Sequence, residues 1–267
     1  MRLALWQCAP RTEGVSAALR DLDAAAGRAR QAGADLLVTP EMYLTGYAIG
    51  AEAVAASALT LDGATMGEIA DTAQRHALAV CVGFPERNAG GRPWNAVALV
   101  DRRGTLLTCY RKTHLWGDVD RAQFTPGDAL PGVVELAGWP VSLAICYDVE
   151  FPELVRASAL AGAELIVCAT ASMLPYTTVS SQIVPARAEE NEVALAYANY
   201  AGVEGAQTYY GLSTVAGPDG ATIAQAPQEG EHLLIADLDA DALAAHRARI
   251  HHLRDRRPDL YDSLTEG

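Results

Sequence analysis

Three ionisable residues stand at matching places in this sequence. Glu41 follows the apolar run DLLVTP, Lys112 follows LLTCYR, and Cys146 follows VSLAI. Each lies just past a β-forming stretch, and in parallel sheets the working side chains gather at the C-terminal ends of strands. Around the cysteine, residues 141–145 read as a strand, Tyr147 and Asp148 turn the chain, and Pro152 opens a helix. Proline suits that position because the amide it lacks would have no partner there. A thiol so placed meets backbone N–H groups and a helix dipole that favour negative charge. Each residue taken singly also has a plain structural role. Cys146 is a small buried hydrophobe on that view, Glu41 a helix-start carboxylate and Lys112 an edge charge.

Together the three residue types do specific chemistry. A free thiol, with a pKa of about 8.5, is only slightly ionised at neutral pH. A neighbouring carboxylate takes its proton as attack begins. A fixed ammonium then holds the oxyanion, where one good donor is worth roughly 2.7–4 kcal/mol. The backbone N–H of Tyr147 offers a second donor. Such a set needs neither metal nor cofactor.

The elements that must position these groups alternate along the chain. Strands are expected at 3–7, 35–39, 79–84, 93–100, 105–110, 133–136, 141–145, 165–169 and 194–199, with shorter ones at 211–217, 221–225 and 232–238. Helices are expected at 16–31, 66–77, after Pro152, at 183–191 (broken early by Pro185) and at 239–250. The polar stretch HLWGDVDRAQFTPGD reads as a loop. Continuous apolar runs suit strands covered on both faces. The class is therefore α/β, with residues 1–250 as one domain and 251–267 as a charged tail.

Composition narrows the function. Half of the 267 residues are hydrophobic and 20% are charged, enough for a large core. A net charge of −13 argues against nucleic acid and anionic membranes as partners. No apolar run reaches the roughly 18–20 residues that span a bilayer. Five cysteines (8, 81, 109, 146 and 168), odd in number and without a CxxC, fit a reducing cytoplasm.

Three segments, PEMYLTGY (40–47), YRKTHLWG (110–117) and CYDVEFPE (146–153), resemble the signature segments of the nitrilase superfamily, the carbon–nitrogen hydrolases. FTPGD (124–128), ARAEEN (186–191) and DRRPDLY (255–261) are lesser echoes. The resemblance implies a four-layer αββα sandwich, Glu41 as general base, Lys112 as oxyanion stabiliser, and Cys146 as a nucleophile that forms a thioester. It implies homodimers or higher homo-oligomers, with the tail covering a neighbour. Many members carry a second glutamate after the lysine; here that position holds Asp120, one methylene shorter. Relatives acting on carboxylated amides often have arginine where this chain has Glu150, which predicts a neutral or basic primary amide. Glu150 is alternatively a partner for Arg187. A nitrilase or N-carbamoyl amide hydrolase with the same triad, and a silent binding module, are the competing readings.

Other residues invite roles. Tyr43, Tyr47, Trp116, Tyr147, Met173 and Tyr176 flank the motifs and are candidates for pocket walls or for packing. His114 suggests a Cys–His pair but lacks a recognisable orienting residue. His251-His252 lacks further ligands at metal spacing, so no metal site is expected. The other four cysteines are expected in strand cores.

Overall fold

The computed structural model describes residues 1–11 and 13–261. In chain order the elements are β1 Arg2–Gln7, α1 Val15–Gln31, β2 Leu36–Val38, α2 Ala51–Ala56, α3 Ala64–His76, β3 Ala79–Glu86, β4 Trp94–Val100 and β5 Leu106–Arg111. Then follow α4 Gly117–Gln123, β6 Val133–Leu136, β7 Trp139–Ile145, α5 Pro152–Leu160, β8 Leu165–Ala169, α6 Val184–Asn191 and β9 Ala194–Ala198. The chain ends with β10 Ala201–Glu204, β11 Gln207–Tyr210, β12 Thr214–Ala216, β13 Thr222–Gln225, β14 His232–Asp237 and α7 Ala240–Arg249.

Two six-stranded sheets result, ordered β14-β1-β2-β3-β4-β5 and β13-β12-β9-β8-β7-β6. They face each other, β1 against β9, β3 against β8, and β4 and β5 against β7. Side chains alternate across each strand. In β1, Leu3 and Leu5 join the core between the sheets, while Ala4 and Trp6 join the core under α1. Helix α1 buries Ala18, Leu19, Leu22, Ala25, Ala26 and Ala29, one stripe at helical spacing. Helices α5 and α6 cover the second sheet, giving the αββα order. Strands β1, β2 and β3 run parallel, as do β7, β8 and β9, so their C-terminal ends gather at one end of each sheet.

Several expectations are corrected. The stretch after Lys112 is not all loop: α4 forms there, and it buries Asp120 and Gln123. These polar groups are buried because they find partners, which a polarity reading could not show. Pro185 does not break its helix, since it stands in the first turn of α6, entered through a wider turn at 179–183. The hairpin β10–β11 and the short helix α2 were not anticipated, and β12 begins only at Thr214. Cys8 lies just past β1, and Cys109 is partly exposed. The tail begins by packing on its own chain, where the Leu253 N–H donates to Glu192 Oε1 at 3.1 Å. Residues 262–267 of the proposed tail lie outside the described residues.

Candidate active site

Strand β2 ends at Val38, and the next residues carry Glu41 across to the second sheet, where its backbone N–H donates to the Thr170 carbonyl at 3.3 Å. This crossing passes tightly over β3 at Gly83. A Cβ there would lie 2.6 Å from both Met42 N and Pro40 O, so only glycine fits beneath this loop. Strand β5 delivers Lys112, whose N–H donates to the Asn95 carbonyl and whose own carbonyl receives Gly127 N–H. The FTPGD segment is thereby laid against the end of β5.

Cys146 stands at the end of β7 and opens a 3-10 turn that spans Cys146–Glu150. Its φ is +47°, a left-handed conformation that costs a non-glycine residue roughly 1–2 kcal/mol. Asp148 holds the turn. One carboxylate oxygen accepts from Ile145 N–H and Tyr110 O–H; the other accepts from Thr113 Oγ1, His114 N–H and His114 Nδ1. The buried aspartate thus ties the cysteine turn to the segment that follows Lys112. His114, so engaged and stacked on Phe151 at 3.9 Å, supports this turn, and the Cys–His alternative finds no support in its contacts.

Glu41, Lys112 and Asp120 are all fully buried. Lys112 Nζ lies 2.8 Å from Glu41 Oε1 and 2.6 Å from Asp120 Oδ2. The shorter side chain at 120 therefore reaches the lysine, because α4 carries it inward. Asp120 also accepts from Tyr47 O–H at 2.7 Å and from Trp116 N–H at 2.9 Å. Glu41 Oε1 accepts a second bond from Asn95 Nδ2 at 2.7 Å, while Glu41 Oε2 has no partner among the described residues. One oxygen is anchored twice and the other is left free.

The electrostatics follow from two carboxylates around one ammonium. Burial, together with the Asp120 charge, pushes the Glu41 carboxyl above its ordinary pKa, although Lys112 and the Asn95 donor pull the other way. Burial opposes the Lys112 charge, but Asp120 and Glu41 outweigh it and hold the ammonium well above its ordinary value. Burial, reinforced by Glu41, pushes the Cys146 thiol well up, so the resting sulfur keeps its proton. The Lys112 charge acts in the thiolate's favour. The arrangement can move a thiol proton to a carboxylate and hold an oxyanion by a fixed positive charge.

Cys146 opens onto a small, narrow pocket lined by Tyr47, Trp116, Glu150, Ala171, Ser172, Met173 and Tyr176. Tyr43 is not among them; it is buried against Trp6, with its hydroxyl on the Ala18 carbonyl. Tyr147 instead packs edge-on against Phe151. Arg187 does not pair with the Glu150 carboxylate, because its guanidinium donates to the Glu150 and Val149 carbonyls and to Glu190.

Two site residues escaped the sequence reading. Asn95 was visible as a lone polar residue inside the apolar run WNAVALV. Glu204, on the unanticipated hairpin, accepts from Tyr47 N–H, Ala48 N–H and Tyr209 O–H, and so secures the loop that carries Tyr47. No local pattern marks it.

The sequence model of the carbon-nitrogen hydrolase family matches residues 2–248. A Pseudomonas protegens protein described as a hydrolase in the pqqF 5′ region is 48% identical over 266 residues, spanning 100% of this chain and 92% of its own length. An (R)-stereoselective amidase of a Pseudomonas species is 37% identical over 233 residues, 87% of this chain and 83% of its own. A solved amidase of Nesterenkonia sp. matches with a TM-score of 0.85 at 35% identity, covering 99% of this chain and 96% of that one. In one variant of that amidase acrylamide has added to the active-site cysteine, and another holds butyramide.

Proposed function

From a chain that belongs to the carbon–nitrogen hydrolase family, as an amidase-like member of the nitrilase superfamily, we propose that a small primary amide is cleaved to carboxylic acid and ammonia through a thioester on Cys146. The observation that carries this reading is the split duty of Glu41: Oε1 is pinned by Lys112 and Asn95, and Oε2 is free. The free oxygen takes the thiol proton as sulfur attacks the amide carbon. Lys112 Nζ receives the developing oxyanion. Tyr147 supplies a second donor, since it stands in the first turn of the 3-10 segment, where N–H groups lack intrahelical acceptors. The tetrahedral adduct collapses, the C–N bond breaks, and Glu41 passes its proton to the departing nitrogen, which leaves as ammonia. Water then attacks the thioester and gives a proton to Glu41. That proton returns to sulfur as the acid leaves.

The pocket favours a short acyl group, and the Glu150 carboxylate favours neutral or basic chains over ω-amidated dicarboxylates. Support for the amide class comes from the similarity to two amidases. Five free cysteines suit the cytoplasm, and no helix among the described residues is long and apolar enough to cross a membrane. We place the protein there as a homo-oligomer, with exposed Leu260 and Tyr261 as the part of the tail left for a neighbour. Light scattering of the full chain against one ending at Ile250 checks the tail's part, and an unchanged mass removes it.

The deciding experiment measures ammonia release from short amides, matched nitriles and N-carbamoyl amines by wild type and Cys146→Ala. Turnover of amides, lost in the variant, with a mass increase on Cys146 equal to the acyl group at early times, is the expected result. Preferential turnover of nitriles or carbamoyl compounds would replace the amide by that class. Inactivity on all three, with a thiol inert to iodoacetamide, would refute the reading.

A further inference from the structure

Glu150 ends the 3-10 segment that Cys146 opens, and it lines the same pocket. It is only half-buried, yet its carboxylate accepts no hydrogen bond from any described residue. The cations that could neutralise it are committed elsewhere. Lys112 is shared between Glu41 and Asp120, and Arg187 meets the Glu150 backbone carbonyl at 2.8 Å while its Nη1 pairs with Glu190 at 2.9 Å. Solvent reaches this carboxylate, and Lys112 and Arg187 act on it only at a distance. A ligand cation that took the water's place would supply the direct charge partner that no described side chain gives. The same pocket is lined by Trp116 and Tyr176, packed edge to face with ring centroids 6.0 Å apart, and by Met173. An acidic group sharing a pocket with aromatic and thioether surface is a surrounding that suits an alkylammonium: the charge meets the carboxylate and the methylenes meet the rings.

We propose that Glu150, with Trp116 and Tyr176, binds an ammonium group on the acyl chain of the substrate, so that the preferred amides are short and amine-bearing. This rests on the amidase reading given above and names the substrate class of that site. A free carboxylate on the acyl chain would meet Glu150 and the excess negative charge of the Glu41–Lys112–Asp120 group. An ammonium instead meets the Glu150 carboxylate, to which no described side chain donates. Placed at the pocket wall, the contact also orients the chain and so presents the amide carbon to sulfur.

The test compares two nearly isosteric pairs, 3-aminopropanamide with butanamide and glycinamide with propanamide, by ammonia release near neutral pH. Wild type is expected to favour the ammonium member of at least one pair by about tenfold in kcat/KM, the effect of one charge-assisted hydrogen bond. Glu150→Gln is expected to bring that ratio close to one, and added salt to reduce it in wild type. Each ratio is taken within one preparation, so a partly folded variant does not distort it. A wild-type ratio near one, or a preference that survives in Glu150→Gln, would overturn the proposal and leave the amidase reading standing. Failure of wild type on all four amides would instead overturn the amidase reading, and the ammonium site with it, because butanamide and propanamide ask nothing of Glu150.

Discussion

Replacing Asn95 with alanine removes the donor that lies 2.7 Å from Glu41 Oε1 and leaves the Lys112 contact in place. Both Asn95 and Glu41 are buried, so water does not take over the lost bond. The donor stabilises the ionised carboxylate, and its loss favours the protonated one. A hydrogen bond to a charged group is worth about 1.5–3 kcal/mol, which is roughly 1–2 pH units. The proposed base, Glu41, would work only when ionised, so kcat/KM is expected to fall as pH drops through its pKa, which burial already holds above the ordinary carboxylate range. Asn95→Ala should carry that acid limb upward by about 1–2 pH units, with a much smaller change on the alkaline side. The assay is ammonia release from butanamide, which does not titrate in the range, with thermal melting of both proteins as a control. A profile lowered equally at every pH, its limb unmoved, would make Asn95 a packing residue and refute the reasoning.

Asp120→Asn should move the same limb the other way. Its charge raises the Glu41 pKa, and two unit charges held around one Nζ at ~5 Å interact by about 3 kcal/mol at an effective dielectric near 20. A downward displacement in kcat/KM against pH, with a lower plateau from a less firmly held Lys112, is expected; an upward one would contradict it. Gly83→Ala should cost about 1–3 kcal/mol and lower the melting temperature by roughly 2–12 °C, because the added methyl meets backbone at Met42 and Pro40. Activity should fall further than the melting temperature alone accounts for, since the displaced loop carries Glu41. An unchanged melt with full activity would show that the crossing yields freely.

The sequence by itself determined the class of fold and the residues most worth testing. Apolar runs such as DLLVT and VSLAI, each followed by an ionisable residue, are local patterns. Strand and helix periodicity depend on neighbours a few positions away, so alternation of β and α elements is legible from them. The helical stripe of α1 and the turn after Ile145 belong to the same local level. Tertiary structure decided what those residues meet. Asp120 reaches Lys112 because α4 turns it inward, against the polar character of its own segment. Asn95 anchors Glu41 across 54 residues, and Glu204 holds the Tyr47 loop across 157, separations at which no periodicity carries information. Arg187 reaches from α6 to the Val149 and Glu150 backbone carbonyls and to Glu190 rather than to the Glu150 carboxylate, a choice no residue type announces. Charge and hydrogen-bonding capacity are written in residue types, but which donor faces which acceptor is settled only when elements distant in sequence pack side by side.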